Sequence, residues 1–169
     1  MKVDLVQILF IVPALVLTGA VQDMLPAFAG VKVPLLLAIA LAMACAEFLS
    51  APARWGAAVF GGCMAGSLGM LPLACAELFF MAAGAAAGAV LREGEYRENF
   101  ITGFCTLAVA APLMEVWLYL WGVAGTDAAV SARALPALAL GAPAGGIAFA
   151  VMPWIGEHIG LAAVREDGE

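Results

Sequence analysis

The chain has 169 residues, 65% of them hydrophobic and 12% charged, with a formal net charge of −6 and a mean hydropathy of +1.05. A soluble domain is roughly half apolar and a quarter charged, and a small fold leaves too much surface wet to hide this apolar excess, so lipid is the consistent solvent. The scattered basic residues form no stripe for nucleic acid, and a single His158 with Cys45, Cys63, Cys75 and Cys105 spread through apolar runs gives neither a zinc ligand set nor a catalytic triad.

A helix needs about 20 apolar residues to cross a bilayer. Six runs approach this: residues 5–22, 33–50, 55–71, 73–91, 100–123 and 134–155. The expected fold is therefore all-α, a single transmembrane domain over 1–169 with six helices in a compact bundle. The first run follows Lys2 and ends in "TGA", as a signal peptide can, but Pro13 interrupts it and it flows into further spans. The third and fourth runs are nearly continuous. Gly69 weakens the end of one helix and Pro72 suits the first turn of the next, so a tight hairpin is expected at "GMLPL".

The fourth run, "LACAELFFMAAGAAAGAVL", carries Glu77, and the fifth carries Glu115. Both are expected outward of their helix centres at similar depth, with no Lys or Arg inside a span to neutralise them. An intramembrane carboxyl is a functional candidate by default. It can hydrogen-bond across helices, reach water at the outer face, or bind a cation or charged substrate. Glu47, near Arg54, sits at a helix end and reads as structural, as do Asp23, Glu157 and His158. The sixth run holds Pro136, Pro143 and Pro153, which reads as a kinked helix packed on its neighbours.

Gly62 with Gly66, Gly84 with Gly88, and Gly141 with Gly145 form small-xxx-small pairs. Such spacing bares one helix face to another backbone. The neighbour is either a helix of this chain or the helix of a partner.

With six spans and a cytoplasmic N-terminus, the inner side holds Lys2, Arg54, Arg92, Arg97 and Arg165, and the outer side only Lys32 and Arg133. That obeys the positive-inside rule and places both termini in the cytoplasm. Trp55, Tyr96 and Trp154 then fall at the inner boundary, and Trp117, Tyr119 and Trp121 at the outer.

Across residues 20–95 the order of landmarks resembles the rod shape-determining protein MreD family. Gln22, Leu25 and Pro26 close the first helix. Pro34, Leu35 and Leu36 open a Leu-rich helix. Gly62 and Gly66 space the third, Pro72 and Leu73 make the turn, and Gly84, Gly88 and Arg92 mark the fourth. The chain departs from that family where "GSLGMLPL" lacks an Asp and a longer loop, and where Leu35 replaces an acid after Pro34. The resemblance implies a non-enzymatic subunit, without cofactor, of the bacterial inner membrane. It would serve the elongation machinery that guides sidewall peptidoglycan synthesis. The partners implied are the bitopic MreC, the actin-like MreB, and the RodA synthase with its transpeptidase. Chains of this family also resemble the six-helix substrate-binding subunits of energy-coupled vitamin transporters. The competing expectation is thus a small-molecule binding subunit with an outward pocket of Trp117, Trp121, Glu77 and Glu115. The bulky Leu, Ile, Phe and Val of residues 5–22 favour the scaffold, since such transporter subunits often dock through small residues on their first helix.

Overall fold

A computed structural model describes residues 5–68, 73–93, 99–122 and 127–159. Six helices run in chain order: α1 (Leu5–Met24), α2 (Leu35–Cys45), α3 (Ala51–Ser67), α4 (Leu73–Glu93), α5 (Phe100–Leu120) and α6 (Asp127–His158). The expected hairpin at 69–72 lies outside the described residues; the runs on either side of it are separate helices. Helices α1, α4, α5 and α6 each contain a stretch long and apolar enough to cross a membrane by length and composition. Leu5, Leu9, Leu17, Ile101, Leu120 and Leu135 all point outward, each more than 60% exposed. Apolar side chains on the outside of an equally apolar interior are the features of a helical membrane protein.

Two elements differ from the runs that suggested them. The second run, 33–50, forms a helix only over Leu35–Cys45. Eleven residues rise roughly 16 Å, about half the hydrocarbon thickness. Beyond Cys45 the backbone leaves the helical region at Ala46 (φ −57°, ψ 123°) and turns back at Ser50, the N-cap of α3. Pro52, in the first turn of α3, favours this restart because its missing N–H is not needed there. The sixth run is longer than expected. Helix α6 begins at Asp127, so Arg133 lies on a helix and not in a loop, and the helix continues past all three prolines. Asn99 opens α5 by accepting the Thr102 N–H at 2.9 Å, a regular side-chain cap.

Helix α2 is the axis of the bundle. Nine of its eleven residues are buried, and it packs against α1, α3, α4 and α6. Around it the chain forms two groups. Helices α1, α3 and α4 make one, through α1–α3 and α3–α4 contacts; α5 and α6 make the other, the most extensive pair in the molecule. The α5–α6 pair is close because neither side carries a Cβ at the crossing. A Cβ added to Gly103 would run into the Gly145 carbonyl and Phe149, and one added to Gly145 would meet the Gly103 carbonyl and Leu107. In lipid there is no hydrophobic drive between helices, so van der Waals contact of this kind is what joins them.

Gly145→Ala is therefore expected to push α6 off α5 and to cost about 1–3 kcal/mol, as overpacking does. Gly56→Ala, at a helical position with nothing within 4 Å, is expected to stabilise by about 0.5–1 kcal/mol. Thermal unfolding of the two variants in one detergent measures both effects.

Candidate functional site

The polar groups inside this apolar bundle are the candidates for function. Those on α1 are spent on structure. Its buried stripe is Gln7, Ile11, Leu15, Gly19 and Gln22. Gln22, 6% exposed, accepts the Leu36 N–H at the start of α2, at 2.6 Å. Gln7, 4% exposed, accepts the Ser50 hydroxyl at 2.7 Å and the Ser50 N–H at 3.4 Å, just beyond the other end of α2. Pro34 supplies α2 with no side-chain cap of its own, so α1 caps the helix from outside. The sequence pattern marked Gln22 only through the family resemblance and passed over Gln7. A glutamine in an apolar run was the available signal, since a polar side chain at that depth must find a partner.

The loop between α1 and α2 turns tightly at its tip. Phe28 and Val31 exchange two backbone hydrogen bonds, of 2.8 and 3.0 Å. Ala29 (φ 50°) and Gly30 (φ 78°) take the positive φ values that such a two-residue turn requires. Lys32 closes the base of the loop on Asp23 at 2.7 Å. The turn delivers Val31, which is buried against Ala111 of α5 and Ala137 of α6.

Glu77 lies in the seam between α3 and α4. Gly62 meets its backbone so closely that an added Cβ would stand 2.6 Å from the Glu77 Cα. The next residue, Cys63, donates its thiol to Glu77 Oε1 at 3.0 Å. Glu77 thus has a partner within the chain and keeps partial exposure.

Glu115 lies in a different seam. Gly103, Leu107, Ala111 and Glu115 form one buried line on α5, and Gly103, Leu107 and Ala111 meet Gly145 and Gly141 of α6. Glu115 continues that line toward the end closed by Val31. It is 5% exposed, and its Oε2 is buried with no hydrogen-bond partner among the described residues. Arg133 of α6 is the cation whose charge reaches it. The two glutamates are near the same end of the bundle, but they belong to separate helix pairs.

A groove of about 750 Å³ lies between α4 and α5, which touch at few positions. Of Trp117, Trp121, Glu77 and Glu115, expected to line an outward pocket, Trp117 alone borders this groove. Leu41 of α2 is part of its lining, with Ala82, Ala83, Ala86 and Ala87 on the α4 side and Ile101, Val109 and Leu113 on the α5 side. Neither glutamate lines it. Its polar atoms are used internally: Thr106 Oγ1 donates to the Thr102 carbonyl at 2.8 Å, and Trp117 Nε1 donates to the Cys75 carbonyl at 3.0 Å. The Trp117 ring also lies tilted against Phe79, at 6.2 Å between centroids, and against Trp121, at 6.0 Å. The groove was not legible from the sequence, because it depends on which helices fail to touch.

The Gly-spaced faces are also accounted for in part. Gly62 is filled by Glu77, and a Cβ on Gly84 would stand 3.3 Å from Ala44 and 3.4 Å from Ala58. Both serve packing inside this chain. Gly88 is buried and Gly66 is partly exposed. Cys45 and Cys75 are buried, Cys63 is partly so, and Cys105 is exposed beside the groove.

Glu115→Met is expected to leave the unfolding temperature in detergent unchanged or to raise it, because replacing an unpartnered buried acceptor with a similar apolar volume removes a cost. Glu77→Met strips the Cys63 thiol of its acceptor and is expected to cost about 0.5–1.5 kcal/mol. Thermal unfolding of the two variants side by side separates the roles.

Compared with known protein families, with curated proteins and with solved structures, the chain matches none of them.

Proposed function

We propose that the chain is a non-enzymatic scaffold subunit of a bacterial inner membrane, of the MreD type, crossing it six times with both termini in the cytoplasm. In this role it binds partner membrane proteins of the cell-elongation machinery and supports sidewall peptidoglycan synthesis. The six-helix arrangement is then of the kind found in the substrate-binding subunits of energy-coupled vitamin transporters, used here without a substrate.

The observation that carries this reading is the apolar groove between α4 and α5, whose lining carries no charged side chain and, beside its bonded threonines and Trp117, only the weakly polar Cys105 thiol. A small-molecule site combines apolar walls with a few placed polar groups; here the threonines and Trp117 of the groove already bond to the protein. The groove runs from Leu91 and Ile101 at one end to Trp117 and Leu120 at the other, about the length of a spanning helix. Its alanine wall lets another backbone approach. A bitopic partner's apolar helix fits such a surface. Gly62 and Gly84 each have close neighbours within the chain, so the reading places the partner's helix in the groove and not on them.

Purification of the tagged protein from its native membrane, followed by mass spectrometry, tests the reading. A co-purifying single-span coiled-coil protein together with cell-wall synthases is the expected result. Ala86→Trp, which fills the groove from an exposed position, is expected to lower that recovery about tenfold while helicity stays unchanged, as a clash at an interface centre does. Recovery of ATPase subunits or of a bound vitamin-sized molecule would overturn the scaffold reading.

A further inference from the structure

The opposite end of the bundle from the two glutamates holds a second hollow, of about 340 Å³. It lies where the end of α2, the start of α3 and the later turns of α4 come together. Ala58, Gly84, Ala85 and Ala89 give it an apolar wall, and Arg54 and Trp55 line it as well. The volume is at the small end of the range for ligand sites. Its lining is mixed in a way that the groove's is not: one guanidinium, one indole, and otherwise side chains no larger than a methyl group.

Arg54 is partly buried, with its Nε beneath the surface. A guanidinium carries five donors in a fixed fork and matches phosphate oxygens, and it can hold a phosphate while bonding elsewhere. The α3 helix starts at Ala51 in the same wall, which adds the positive end of a helix dipole. Trp55 is half exposed, as an indole at a membrane interface is. Ala85 and Ala89 present exposed positions on α4, a bare strip along which an acyl chain can lie.

Charge selects among lipids. The turn that joins two of the lining residues, Ala44 and Ala51, bears an exposed Glu47. A phosphate at Arg54 with a cationic group toward Glu47 satisfies both signs. A primary ammonium, which donates hydrogen bonds, suits carboxylates better than a quaternary one.

We propose that this hollow seats a zwitterionic phospholipid of the phosphatidylethanolamine type, its phosphate on Arg54 and an acyl chain against Ala85 and Ala89. The inference rests on the chain lying in a bilayer and not on the identity of any protein partner, so it can fail while the scaffold reading stands.

Native mass spectrometry of the full-length protein in detergent tests it. The protein is titrated with phosphatidylethanolamine, phosphatidylcholine and phosphatidylglycerol of identical acyl chains. The expected result is preferential retention of phosphatidylethanolamine. Arg54→Gln is expected to weaken that retention about tenfold, the worth of a charge-assisted hydrogen bond. Ala89→Phe fills the acyl strip without touching the charge and is expected to weaken it comparably, with helicity unchanged. Phosphoethanolamine alone is expected not to compete. Equal retention of the three lipids, a preference for phosphatidylglycerol, or full competition by phosphoethanolamine would overturn the proposal. If Arg54→Gln does not fold, the wild-type selectivity and Ala89→Phe decide the matter, and an unaffected Ala89→Phe also overturns it.

Discussion

The fold depends on how the two ends of α2 are satisfied. A helix of eleven residues at the centre of an apolar bundle exposes free amides at its start and irregular backbone beyond its end. Water is not at hand to bond them, and an unsatisfied amide in a hydrocarbon surround costs several kcal/mol. Gln22 removes that cost at the start of α2, and Gln7 meets the Ser50 hydroxyl and N–H where the irregular segment beyond α2 reaches α3. The two glutamines lie on one buried stripe of α1, so the position of α1 fixes the position of α2. Each bond between helices in a membrane is worth only about 0.6–2 kcal/mol, but its absence would leave a buried donor unpaired. That asymmetry makes α1 more than a lipid-facing cover.

With α2 held, the two groups of helices assemble on its sides by different means. The α5–α6 pair closes through Gly103 and Gly145, backbone against backbone. The α3–α4 pair closes through Gly62 against the Glu77 backbone, with the Cys63–Glu77 hydrogen bond beside it. Close approach places each glutamate where its own helix pair dictates. Glu77 faces a thiol; Glu115 faces α6 and the tip of the α1–α2 loop. Their similar depth follows from the antiparallel order of the helices and carries no information about a shared site.

Much of this was legible in the sequence, and the rest was hidden for physical reasons. Apolar runs locate all six helices because lipid demands continuous apolarity. Gly62 and Gly145 mark close approach because only a missing Cβ permits it. Hydropathy could not reveal the short length of α2, since Ala46–Ser50 is as apolar as a helix end and its departure from helix is set by Gln7 and Pro52. Nor could it place the start of α6, because "DAAVSAR" contains good helix formers among polar residues and reads equally as loop. Spacing alone also could not say whether a bare glycine face meets this chain or another. Here the nearest neighbours of Gly62 and Gly84 are internal.

The division into two groups has a consequence for any occupant of the groove. Helices α4 and α5 belong to different groups and touch at few positions, and Leu41 of α2 lines the gap between them. Leu41 is itself 1% exposed and part of the continuous core, and its helix contacts both groups. A helix seated in the groove therefore bears on α4, on α5 and on the axis that joins them. The α4–α5 contact made by Trp117 and the Cys75 carbonyl lies at one end of the same surface. Leu41, buried in the core, and Trp117, bonded to α4, are thus two points at which the groove meets the internal packing of the bundle.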